Sequence, residues 1–75
     1  MKTIEEALKG IRPEFDFTTS QDFLGDGMLD SFDMMTLVSD LDKEYGISIA
    51  GVDILPENFQ NIASIRKLLQ KYGKV

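Results

Sequence analysis

The chain has 75 residues, no cysteine and no histidine, so it holds at most one domain with a modest core, no disulfide, no His- or Cys-ligated zinc and no nucleophile served by a histidine base. Thirteen acidic side chains against eight basic ones leave a net charge of −5. That balance argues against nucleic acid, whose affinity comes from neutralising phosphates, and against insertion in or attraction to an anionic membrane. It suits a partner with a basic patch. The start, Met-Lys-Thr-Ile-Glu-Glu, lacks the apolar core of a signal peptide, and no apolar run approaches a membrane span. The expected address is therefore cytoplasmic. No repeat, low-complexity stretch or Pro/Ser linker is visible, so residues 1–75 are expected to form one free-standing, monomeric domain.

The first segment reads as a helix. Thr3 can cap it and Glu6 stands at the capping-box spacing. Ile4, Ala7, Leu8 and Ile11 follow helical periodicity, Gly10 weakens the helix, and Pro13 stops it. Residues 12–30 are polar and contain glycine, with Phe15, Phe17, Phe23 and Leu24 interspersed. A structureless loop of this length is uncommon in a small domain, and the aromatics are expected to pin it over the core. A second helix is expected from Ser31 to Tyr45, with Met34, Leu37, Val38, Leu41 and Tyr45 as its buried stripe and Gly46 at its exit. Ile47 and Ile49 should then turn back to the core. Asp53 to Gln60, with Pro56 near its start, is expected to hold a short helix. Asn61 caps a last helix with Ile62, Ile65, Leu68, Leu69 and Tyr72 inward and Gly73 at its end. The fold class is all-α, a four-helix bundle of three long helices and one short one.

Ser31 is the residue of greatest interest. It lies in Gly27-Met28-Leu29-Asp30-Ser31-Phe32-Asp33, directly ahead of the second helix. Its plainest role is an N-cap, the Oγ accepting a first-turn N–H. A catalytic nucleophile would need a base; histidine is absent, and no lysine stands at the Ser-x-x-Lys spacing from Ser31. The remaining role is that of a serine displayed for modification by another enzyme. A calcium loop competes for the same segment, since Asp22, Asp26, Gly27, Leu29, Asp30 and Asp33 fall in EF-hand register. Leu24 occupies its second ligand position, and Asp33 is shorter than the glutamate that usually closes such a loop. No second loop is present to pair with it. Phe32 and Met35 fall off the core stripe beside Ser31 and suit an adaptable docking spot, or else they cover the rim of the long loop. Asp30, Asp33, Asp40 and Glu44 lie along the same helix and suit steering of a basic partner. Failing both modification and calcium, the chain is an unmodified adaptor bundle.

Taken together, Leu29-Asp30-Ser31-Phe32-Asp33, then Leu37-Val38, Leu41, Tyr45-Gly46-Ile47-Ser48-Ile49, Asn58-Phe59 and the Ile62/Ile65/Leu68/Leu69 helix resemble the acyl carrier protein family over nearly the whole chain. The resemblance implies a non-enzymatic carrier domain. In it Ser31 would accept 4′-phosphopantetheine from coenzyme A as a phosphodiester, through a separate Mg²⁺-dependent phosphopantetheinyl transferase. The arm's thiol would hold acyl or aminoacyl groups as thioesters, loaded by a ligase and passed to downstream transfer enzymes. A helix N-terminus suits an added phosphodiester, and the resemblance makes Asp30 a residue read by the transferase, with no metal held by the chain itself. Phe32 replaces the leucine of the commonest fatty-acid carriers. Gly27-x-Leu29-Asp30-Ser31-Phe32 and the Asn58-Phe59 pair resemble more closely the discrete carriers of specialised pathways, D-alanine carriers included.

Overall fold

The computed structural model describes residues 3–74. Its regular structure is three α-helices, α1 (Ile4–Ile11), α2 (Ser31–Tyr45) and α3 (Ile62–Lys71), with three single 3-10 turns between them. There is no strand among the described residues. Each helix follows from its cap and its apolar stripe. In α1, Thr3 Oγ1 accepts the Glu6 N–H at 3.2 Å and Glu6 Oε1 accepts the Thr3 N–H at 3.0 Å, which satisfies two end donors at once. Ile4, Ala7 and Leu8 are buried. α3 starts at Asn61, whose Oδ1 accepts the Ser64 N–H at 2.8 Å, and it buries Ile65, Leu68 and Leu69. α2 buries Met34, Leu37, Val38, Leu41 and Tyr45. It ends on Gly46, whose φ of +63° is the left-handed conformation that glycine adopts without strain.

The long connection between α1 and α2 is part of the core. Phe17, Phe23, Met28 and Leu29 are buried, and Phe15 and Leu24 pack against them. Phe17 meets Phe23 edge-on at 5.0 Å between ring centres, and Phe15 meets Phe17 at 6.3 Å, geometries that aromatic quadrupoles favour. Its backbone is satisfied locally and across the fold. Asp16 accepts the Thr18 N–H and Asp22 accepts the Gly25 N–H. The Phe23 N–H donates to the Gln60 carbonyl at 2.7 Å, and Asn61 Nδ2 donates to the Gln21 carbonyl at 3.1 Å. The segment that leads into Ser31 is thus tied to the start of α3.

The expected short helix over Asp53 to Gln60 is not continuous. Two 3-10 turns stand there instead, Gly51–Asp53 and Pro56–Asn58. The break lies at Leu55, which has φ −119° and ψ 143°. A residue before proline is pushed out of the helical region by the pyrrolidine ring, so no single helix can cross that point. Asp53 accounts for the rest. It is buried, and its carboxylate accepts Lys71 Nζ at 2.7 Å and the Tyr72 hydroxyl at 2.6 Å. Its backbone carbonyl accepts Asn58 Nδ2 at 2.8 Å. Tyr72 Oη in turn accepts the Ala50 N–H at 2.9 Å. Ile49 is buried as expected, and its N–H donates to Asp42 Oδ1 at 2.9 Å.

Candidate functional site

Ser31 is the first residue of α2, and Asp30 rather than Ser31 is the cap. Asp30 Oδ1 accepts the Asp33 N–H at 2.8 Å, and Asp33 Oδ2 accepts the Asp30 N–H at 3.3 Å. The expectation that Ser31 Oγ caps the helix is therefore corrected. A carboxylate accepts the first-turn amide more strongly than a hydroxyl does, and Asp30 sits one residue earlier, where the backbone is extended as a cap requires. Ser31 is exposed, and the cap's hydrogen bonds run past its hydroxyl. Of the N–H groups free at this helix start, Asp30 takes the one of Asp33.

Arg12, at the end of α1, reaches across to this cap. Its Nε and Nη2 both lie 2.8 Å from Asp33 Oδ2, Nη2 is 3.6 Å from Asp30 Oδ2, and Nη1 is 3.7 Å from Glu14. The hydrogen bond that Arg12 donates to Asp33 pushes the guanidinium's pKa further up, and the negative charges of Asp33, Glu14 and Asp30 add to it. The Asp30 carboxyl is held below the usual range, first by the Asp33 N–H and then by Arg12. Asp33 Oδ2 thus accepts three donors, and its side chain is 16% exposed.

The remaining side chains expected at the site divide by face. Phe32 is 83% exposed and Met35 53%, so both stand clear of the core beside Ser31. Asp40 and Glu44 are half-buried along α2. At about 100° per residue, Asp33, Asp40 and Glu44 lie roughly 140–180° around the helix from Ser31. The acidic row therefore runs down the flank facing α1's end, while Ser31 and Met35 share the other flank, with Phe32 pointing outward between them. Asp30 is the acidic residue beside the serine that is left exposed.

The calcium reading finds no support in this geometry. Asp22 accepts the Gly25 N–H, Asp26 accepts the Ser20 hydroxyl, Asp30 caps α2, and Asp33 pairs with Arg12. No group of three or more histidine, cysteine or carboxylate side chains is placed to hold a metal among the described residues. A groove of about 730 Å³ between Asp53, Glu57, Ser64, Lys67 and Lys71 does not include Ser31 or its neighbours. Ser31 is exposed and lies outside that groove, which suits attachment of a group by an outside enzyme.

Residues 2–70 match the family model of the phosphopantetheine attachment site. The chain belongs to that family. No curated protein and no solved structure gave a match. Domains of this family receive 4′-phosphopantetheine covalently; they are carriers and not enzymes, and they work with phosphopantetheinyl transferases and further partner enzymes. The residues present fit such a group: the family attaches its arm at a serine, and Ser31 is exposed, free of the capping bonds and at the first turn of a helix. Two residues, Arg12 at the site and Asp53 away from it, are not indicated by the sequence. Arg12 stands 21 positions before Asp33, so no local spacing marks the pair. Asp53 looks like any surface acid until the fold brings Lys71 and Tyr72 to it.

Proposed function

We propose that Ser31 is the residue carrying the 4′-phosphopantetheine arm, and that residues 1–75 act as a monomeric acyl or aminoacyl carrier domain. When bound, the arm supplies a terminal thiol that holds the cargo as a thioester. The observation that carries this reading is the exposed Ser31 hydroxyl at the start of α2, beside a cap that does not use it. In loading, Ser31 Oγ bonds to the phosphorus bearing the pantetheine, the bond to the adenosine bisphosphate of coenzyme A breaks, and the serine proton passes to a base of the transferase. Asp30, Phe32 and Met35 form the rim the transferase and partner enzymes meet. Asp40 and Glu44, with the net charge of −5, act at longer range on association rate. Phe32 beside Ser31 supports a place among carriers of specialised pathways.

The test is intact mass after incubation with coenzyme A, Mg²⁺ and a broad-specificity phosphopantetheinyl transferase. The wild-type chain is expected to gain one phosphopantetheine and Ser31→Ala none. Since Ser31 does not cap, Ser31→Ala should change stability by no more than a surface substitution, about 0.5 kcal/mol. A mass gain on the folded Ala variant overturns the assignment.

A further inference from the structure

We propose that Arg12 is a positioning residue for loading of Ser31. It acts through Asp33, tying the first turn of α2 to the end of α1 so that the serine is held where a transferase can meet it. This rests on Ser31 being the attachment residue. The observations are geometric. Arg12 places two donors at 2.8 Å on Asp33 Oδ2. The same oxygen accepts the Asp30 N–H at 3.3 Å, and Asp30 accepts the Asp33 N–H at 2.8 Å. Arg12 therefore grips the capping box that brackets Ser31, and it does so from a position 21 residues before Asp33. The Arg12 N–H itself is anchored on the Leu8 carbonyl at 3.0 Å, so the grip is fixed to α1. Helix first turns fray most readily, because their N–H groups lack intrahelical partners. A frayed first turn removes Ser31 from its presented position. Only the competent fraction of carriers then binds productively, and the apparent affinity falls by that fraction.

Simple charge masking makes the opposite prediction. Loss of Arg12 takes the net charge from −5 to −6, uncovering Asp33. Against a basic partner that change alone would speed association and lower KM. The sign of the KM change therefore separates positioning from steering.

The experiment measures loading kinetics against carrier concentration, using coenzyme A, Mg²⁺ and a phosphopantetheinyl transferase, for wild type, Arg12→Gln, Arg12→Lys, Asp33→Asn and the Arg12→Gln/Asp33→Asn double variant. All are first shown to be folded by circular dichroism. Amide exchange on the unloaded proteins gives a second readout: the Asp33 and Met34 amides report the α2 start, and the Ile65 amide reports the equivalent turn of α3. For Arg12→Gln, KM is expected to rise roughly two- to fivefold, the range an exposed ion pair supports. The turnover at saturation should hold, the effect should persist in added salt, and the Asp33 and Met34 amides should exchange faster with Ile65 unchanged. Arg12→Lys should recover part of the loss. In the Asp33→Asn background Arg12→Gln should add nothing. A lowered KM, unchanged exchange at Asp33, or a further loss in the Asp33→Asn background overturns the proposal while leaving the carrier reading intact. A wild-type chain that gains no mass overturns the carrier reading, and this proposal with it.

Discussion

At the scale of single residues, the surroundings of Ser31 separate into side chains the protein uses on itself and side chains it leaves outward. Asp33 is bonded to Arg12 and to the Asp30 N–H. Phe32 and Met35 are solvent-exposed large apolar groups one position and one turn from the serine. An isolated exposed apolar residue needs no explanation, but two of them flanking a candidate attachment residue make a contact surface that adapts readily, methionine especially. Met35→Ala is therefore expected to shift stability by no more than about 0.5 kcal/mol, as surface substitutions do, and to slow loading by the transferase. Thermal melting and loading rate on the same preparation check this. A large fall in melting temperature with loading per folded molecule unchanged would place Met35 among the packing residues. The exposure of Phe32 and Met35 was legible from the sequence, because the stripe of Met34, Leu37, Val38, Leu41 and Tyr45 fixes the helical phase and so fixes what falls outside it. The cap lies one residue before the serine, at Asp30. Asp and Ser are nearly equal as caps, and Asp33 closing a reciprocal box with Asp30 decided between them.

At the scale of elements, α2 is the piece on which both fold and site depend. Its inner face is the centre of the core, and its first turn carries the serine. Leu41 is 1% exposed in the middle of that face. Leu41→Ala is expected to cost about 2–5 kcal/mol, from lost transfer energy and the cavity left behind, against near zero for Lys43→Ala on the exposed side. Urea denaturation midpoints of the two variants provide the comparison, and equal midpoints would mean that the α2 face is misplaced. The boundaries of α2 were legible because caps and glycine mark both ends. The region after it was less so. Pro56 suits the start of a short helix, but its stronger effect is on Leu55, which it holds extended. The long α1–α2 connection was legible only in outline. Its aromatics announced burial, but its anchors are backbone bonds to Gln60 and side-chain bonds from Asn61, which no local pattern encodes.

At the scale of the whole molecule, a small chain with no disulfide needs ties between its ends and its middle, and Asp53 supplies one. Its carboxylate holds Lys71 and the Tyr72 hydroxyl at the end of α3, while Tyr72 also takes the Ala50 N–H. The α2–α3 connection is thereby fastened to the last helix. The same contacts hold the Asp53 carboxyl below its ordinary range, with the Lys71 hydrogen bond the largest cause and the Tyr72 hydroxyl next. In the unfolded chain the group titrates near its reference value, about 3.9. Because the folded value is the lower of the two, the stabilisation is complete above about pH 4 and is lost as pH falls through the folded-state pKa. The wild-type protein should thus lose stability in acid, and Asp53→Asn, which keeps the shape but not the charge, should behave differently. At pH 7 Asp53→Asn is expected to be less stable than wild type. As pH falls below about 4 the gap should narrow, because the contribution of the charge is lost progressively toward the folded-state pKa. Denaturant midpoints of both proteins measured from pH 7 down to pH 3 give the comparison. A gap of constant size across that range would mean that the tie acts through hydrogen-bond geometry alone and that the charge on Asp53 contributes nothing to holding α3 in place.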